Sequence, residues 1–140
     1  AKQAKSFMSK AKLHSMEELE DSWWNLYEKL LSTGRAVELS LKIELEDFLY
    51  NVQKLIHNKN LSTDENLTGD VSIDTAAFDD SQCIGDWCAH LNSTWKKYKL
   101  VGMDIGTDSL VLMVLSNEEF KRAQELAKEL LHRIDVAERL

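Results

Sequence analysis

The chain has 140 residues, one domain's worth of sequence. Seventeen Lys+Arg against twenty-four Asp+Glu leave a formal charge of -7, with 44% hydrophobic and 29% charged residues. This balance excludes a disordered chain and a disulfide scaffold, and it argues against a nonspecific nucleic-acid binder.

Residues 1–14 carry Lys2, Lys5, Lys10 and Lys12 and no acid, and are expected to form a basic, weakly helical or frayed tail before a single domain over 15–140. Ser15-Met-Glu-Glu18 is a capping-box pattern. Behind it Met16, Leu19, Trp23, Leu26 and Leu30 recur at steps of three and four, predicting a helix to about Ser32 that Gly34 stops. Trp24, Tyr27 and Leu31 form a flanking row, the other edge of a wide buried face or an exposed aromatic patch.

Arg35 to Lys42 alternates, with Val37, Leu39 and Leu41 on one face, and predicts a half-buried strand. Leu45, Phe48, Leu49, Val52, Leu55 and Ile56 predict a second amphipathic helix. A polar connection over 58–80 follows, with a short strand expected around Val71 to Ile73. Ile84, Trp87, Cys88, Leu91, Trp95 and Tyr98 predict a third helix. Leu100 to Ile105 and Ser109 to Leu115 read as two strands joined across Gly106-Thr107-Asp108. Ser116 to Glu119 repeats the capping box, and Phe120, Ala123, Ala127, Leu130, Ile134 and Ala137 predict one long closing helix. The expected architecture is α+β: about four helices packed on one face of a small antiparallel sheet, with a C-terminal hairpin followed by a long helix.

No run approaches the ~18 apolar residues of a membrane span, and the basic N-terminal stretch lacks the apolar core of a secretory signal. The two cysteines, Cys83 and Cys88, read as reduced thiols on one helix, so a cytoplasmic address and no membrane partner are expected.

Charge is distributed unevenly. Between Lys59 and Lys96 there is no Lys or Arg, while Asp64, Glu65, Asp70, Asp74, Asp79, Asp80 and Asp86 supply seven negative charges. Such a stretch is either a solubilising loop or a docking surface for a basic protein, with Asp79, Asp80 and Asp86 as its candidate contacts.

Motifs for chemistry are few. Asp104-Ile105-Gly106-Thr107 resembles the first phosphate motif of the actin, Hsp70 and sugar-kinase superfamily, where such a turn handles metal and phosphate. That superfamily places the motif early in two large lobes, so a plain hairpin turn accounts better for it here. The tetrad also looks like the Asp-Thr-Gly-Ser of aspartic proteases, with Ile105 in place of the Thr.

Residues 64–72 track a calcium loop, but Thr75 stands where a bidentate Glu is needed. Cys83, Cys88 and His90 are one ligand short of a structural zinc site and poorly spaced for one. No nucleophile elbow, Walker loop or dinucleotide fingerprint is present. No catalytic residue, metal site or cofactor is therefore expected.

The strand Arg35-Ala-Val-Glu-Leu-Ser-Leu-Lys42 after a helix and Gly34, with the hairpin Gly102-Met-Asp-Ile-Gly-Thr-Asp-Ser-Leu-Val-Leu112, resembles an uncharacterised family of small bacterial domains. The resemblance implies no activity and no site residues. In type, though not in motif, the chain is similar to the immunity proteins of bacterial toxin systems. The expected function is a non-enzymatic acidic binding protein with a basic protein partner, of immunity type, and a homodimer is left open. The alternative is a phosphate- or metal-dependent site at the hairpin turn, using Asp104, Gly106 and Asp108.

Overall fold

Ser109-Leu-Val-Leu-Met-Val-Leu-Ser116 is apolar at both odd and even positions, a pattern that suits a strand covered on both faces. In the computed structural model, which describes residues 18–59, 71 and 73–140, this segment is the strand buried on both sides. The elements are α1 (18–32), β1 (Ala36–Ser40), α2 (Leu45–Asn58), α3 (Ile84–Thr94), β2 (Tyr98–Met103), β3 (Ser109–Ser116), α4 (Asn117–Glu129) and β4 (Ile134–Val136). The four strands form one antiparallel sheet in the order β1-β3-β2-β4. Ala36 pairs with Met113, Val101 with both Met113 and Val136, and Met103 with Ile134.

Strand alternation sends two sets of side chains to opposite faces. Leu39, Leu100, Leu110, Leu112 and Val114 pack against Phe48, Val52 and Leu55 of α2 and Trp87, Cys88 and Leu91 of α3. Ala36, Val101, Met103, Val111, Met113 and Ile134 pack against Trp23 of α1 and Ala127 of α4, with Leu26, Leu30, Phe120 and Ala123 beside them. The helices therefore cover both sheet faces, where the sequence pattern suggested one. Burying a tryptophan such as Trp23, fully covered here, contributes up to about 5 kcal/mol at ~25 cal/mol per Å².

The flanking row of α1 lies at the edge of that face. Tyr27 and Leu31 are half-buried, while Trp24 is exposed and meets Tyr27 edge-on with ring centroids 5.4 Å apart. Tyr27 also donates to the Glu38 carboxylate on β1.

Two helix ends share one geometry. After α1, Gly34 takes a φ of 73°, its N–H bonds the Leu31 carbonyl and the Arg35 N–H bonds the Leu30 carbonyl. After α4, Leu131 takes a φ of 60°, its N–H bonds the Lys128 carbonyl and the His132 N–H bonds the Ala127 carbonyl. Both are Schellman motifs, and only the first has the glycine that makes the left-handed residue inexpensive.

The closing helix is accordingly shorter than the sequence spacing suggests. It ends at Glu129, and Ile134 lies in β4 at the sheet edge beside β2, with Ala137 in a final 3-10 turn. Leu130, Ile134 and Ala137 fit a helical series, but Ile134 and Val136 also fit a strand, and the open edge of β2 decides between them. Likewise α3 ends at Thr94; Trp95 is its C-cap and Tyr98 already belongs to β2.

Neither Val71 nor Ile73 lies in a strand. The basic tail over 1–14, Ser15 of the first capping box and residues 64–70 of the calcium-like loop lie outside the described residues.

Candidate functional site

At the end of β1 the chain turns sharply, with the Ile43 N–H bonding the Ser40 carbonyl at 3.1 Å and the Lys42 N–H bonding Ser40 Oγ at 3.2 Å. The turn leaves Leu41 52% exposed and starts α2 at Leu45, where Glu44 at the N-cap provides no side-chain cap. The inner face of α2 carries Phe48, Leu49, Val52, Leu55 and Ile56 into the core. A second face, with Leu45, Leu49 and Gln53 in one row and Glu46 and Tyr50 in the next, borders an open groove.

The opposite wall is the segment from Thr75 into α3, and its aspartates fold it. Asp74 caps a 3-10 turn (Thr75–Ala77) by accepting from the Ala76 N–H at 3.1 Å. Asp79 Oδ1 accepts from the N–H and hydroxyl of Ser81 at 2.9 and 2.7 Å, and these bonds hold its carboxyl below the usual aspartate range. The Asp79 carbonyl accepts from Trp87 Nε1 at 2.9 Å, so the indole's polar atom is satisfied. Asp86 accepts from the N–H and thiol of Cys83 at 3.3 and 3.2 Å and fastens the start of α3.

Asp80 lines the groove itself, together with Glu44 and Glu46 from the facing wall. Of the three aspartates singled out in sequence, Asp79, Asp80 and Asp86 are all exposed and all on this wall, but two of them also serve as local fasteners. Glu44 and Glu46, at the N-cap and in the first turn of α2, were not singled out in the sequence. Only the fold shows that this helix end borders a groove.

The groove has a volume of about 1040 Å³, with Leu41, Ile43, Leu49, Ile84 and Trp87 among its lining. Cys83 also lines it and is exposed, and it is the N-cap of α3 rather than a residue within the helix. Cys88 is buried, and burial pushes its thiol up to about 12.

The hairpin turn is held by its own side chains. Asp104 Oδ1 accepts from the Gly106 N–H at 2.9 Å, and Thr107 Oγ1 accepts from the Ser109 N–H at 3.2 Å. The Asp104 N–H bonds the Arg133 carbonyl at 3.0 Å, and its carbonyl accepts from Trp23 Nε1 at 3.0 Å. Gly106 has a φ of 71° and open space where a Cβ would stand, so its role is turn geometry rather than close approach. Asp104, Gly106 and Asp108 are exposed together, with the amides of Gly106 and Ser109 already bonded within the turn.

A third cluster joins α1 to the α4–β4 loop. His132 stacks flat on Trp23, with ring centroids 4.5 Å apart, and its Nε2 lies 2.6 Å from Glu20 Oε2. That bond, with a smaller contribution from Trp24 Nε1 at 3.0 Å, holds the Glu20 carboxyl below its ordinary range.

Among the described residues no three His, Cys, Asp or Glu side chains gather into a metal-holding group. No helix among them is long and apolar enough to cross a membrane. No curated protein sequence and no solved structure matches the chain. A family profile does match, over residues 2–137, nearly the whole length. The chain belongs to the family of domains of unknown function DUF6630.

Proposed function

We propose that the protein is a non-enzymatic binding protein that holds a basic protein partner in the groove between the β1–α2 turn and the 75–87 segment. The observation that carries this is an apolar floor inside a mostly acidic rim, where Glu44, Glu46 and Asp80 stand with one cation, Lys42. Over 42–47 Glu44, Glu46 and Asp47 face one cation, Lys42; over 74–86 Asp74, Asp79, Asp80 and Asp86 face none. The N-termini of α2 and α3 both border the groove and oppose this field, but each contributes only about +0.5 of a charge. Glu44, Glu46 and Asp80 outnumber Lys42 along the lining, and a net negative cleft steers a cationic partner toward it. A basic toxin neutralised in an immunity role is the specific form of this reading, and rescue of growth on co-expression tests it.

The direct experiment captures partners from lysate at low and high salt, then measures the affinity of the purified partner against ionic strength. Asp80→Asn with Glu46→Gln should weaken binding about tenfold and flatten its salt dependence. An affinity and salt slope unchanged in this double variant, with Asp79→Asn and Asp86→Asn added, would overturn the proposal.

A further inference from the structure

The outer edge of β1 is open, and the hydrogen-bonding phase of the sheet shows which groups it offers. On β2 the Asp104 N–H bonds the Arg133 carbonyl, and both backbone groups of Leu100 go to Asn92. Even-numbered residues of β2 therefore point away from β3, and Val101 and Met103 bond Met113 and Val111. On β3 this leaves Leu112 and Leu110 to bond Val37 and Leu39, so the backbone groups of Ala36, Glu38 and Ser40 face outward. Ala36 is covered, at 3% exposure, and the Ser40 carbonyl accepts from the Ile43 N–H. The Glu38 N–H and C=O and the Ser40 N–H remain, with no partner among the described residues. The opposite edge is largely spent: Gln124 Nε2 donates to the Ile134 carbonyl at 3.3 Å, and the Val136 N–H bonds Asp135 Oδ1 at 2.8 Å.

We propose that this edge is a docking site for an extended segment of a protein partner, paired antiparallel with a lysine or arginine opposite Glu38. An extended backbone is what presents N–H and C=O groups to a sheet edge. The cation follows from position. Residues directly opposite each other share one face of the sheet, and Glu38 lies on the α1 face, where its carboxylate accepts from Tyr27 through Oε1. Its Oε2 has no partner among the described residues, and Glu38 is the single charge within Ala36–Ser40. Tyr27 and, behind it, Trp24 add aromatic surface beside a cation placed there. The guest residues on either side of the cation point to the other face, next to half-buried Val37, and are apolar.

A second copy of the chain is the wrong guest. The self-pairing that uses both open groups of Glu38 sets one Glu38 directly against another, and like charges so placed are destabilising. The charge that guards the edge against its own kind thus selects a basic segment. The site is separate from the groove. Glu38 faces α1, whereas the groove's lining begins at Leu41, beyond the last residue of β1, so the edge can bind whether or not the groove does.

The test titrates end-capped peptides into the isotope-labelled full chain and follows its amides by NMR. The peptide Thr-Val-Lys-Val-Thr is expected to shift the Glu38 and Ser40 amides and protect them from exchange. It should bind about tenfold tighter than Thr-Val-Glu-Val-Thr, and Glu38→Lys should reverse that order. Backbone N-methylation of the central lysine, whose N–H meets the Glu38 carbonyl, should abolish binding. N-methylation of the valine after it, whose N–H points away from the edge, should leave binding intact. Equal affinity for the two peptides, an order that Glu38→Lys does not reverse, or indifference to the central N-methyl group overturns the proposal. Binding of neither peptide overturns it as well. So does binding that Asp80→Asn with Glu46→Gln removes and Glu38→Gln leaves intact, which is the result expected of the groove alone.

Discussion

Leu100 is fully buried at a point where the sheet runs out of strand. The pairing of β2 with β4 begins at Val101, and the side chain of Asn92 on α3 takes the place of the missing residue. Asn92 Nδ2 donates to the Leu100 carbonyl at 2.9 Å and to Glu138 Oε1 at 2.7 Å, while Oδ1 accepts from the Leu100 N–H at 2.7 Å. Asn92→Ala strands one buried donor and one buried acceptor, each costing about 1–3 kcal/mol. A depression of about 400 Å³ beside Asn92, Lys99 and Glu138 admits water and partly relieves this. The expected net loss is about 3 kcal/mol, or about 10 °C in melting temperature for a domain of this size. Urea denaturation measures it, as a lower midpoint at unchanged slope. Glu138→Gln, which keeps an acceptor, should lose less than about 1 kcal/mol. A loss below about 1 kcal/mol for Asn92→Ala would show that Leu100 is not relying on this side chain.

Leu131→Gly should raise stability by up to about 1 kcal/mol, because the leucine is 63% exposed and sits at a φ of 60°; a destabilised variant contradicts the strain argument. For Glu20, whose folded pKa is depressed, the stabilisation is complete above the unfolded value of about 4.3 and lost as pH falls through the folded one. Thermal melts from pH 7 to 2.5 should therefore show Glu20→Gln below wild type at pH 6 and converging with it in acid; a gap constant over that range refutes the pairing. A thiol reagent should label one cysteine in the native protein, Cys83, and a second only in denaturant, since Cys88 is buried with its thiol pushed up to about 12. Native labelling of both shows that the core around Cys88 opens.

The elements that were legible in the sequence are those whose local chemistry and burial agree. Gly34 marks the end of α1 because glycine pays little for a positive φ, and the capping box Ser116–Glu119 marks the start of α4, where Ser116 Oγ accepts from the Glu119 N–H at 3.1 Å. Leu131 makes the same turn as Gly34 with a residue that gives no such signal, and β4 was lost inside the helix it follows. The unbroken apolar run of β3 suits burial on both faces, but the expectation of helices on one sheet face made no use of it. The acidic wall was legible as composition. Its use was not, since Asp79 and Asp86 look like Asp80 until the bonds to Ser81 and Cys83 are seen. Glu44 and Glu46 join Asp80 only through tertiary packing, which no spacing in the chain encodes.

The order of strands also has a kinetic meaning. The two central strands are neighbours in the chain, joined by a turn that Asp104 and Thr107 tie from within, and such a hairpin closes in about 1–10 μs. Both edges are recruited from farther away: Ala36 must find Met113 across most of the domain, and Ile134 must fold back past α4 to reach Met103. Loop closure makes those pairings entropically later. Substitutions in the hairpin are therefore expected to slow folding, and those in the edge strands to speed unfolding, so the lifetime of the folded chain is set at its margins.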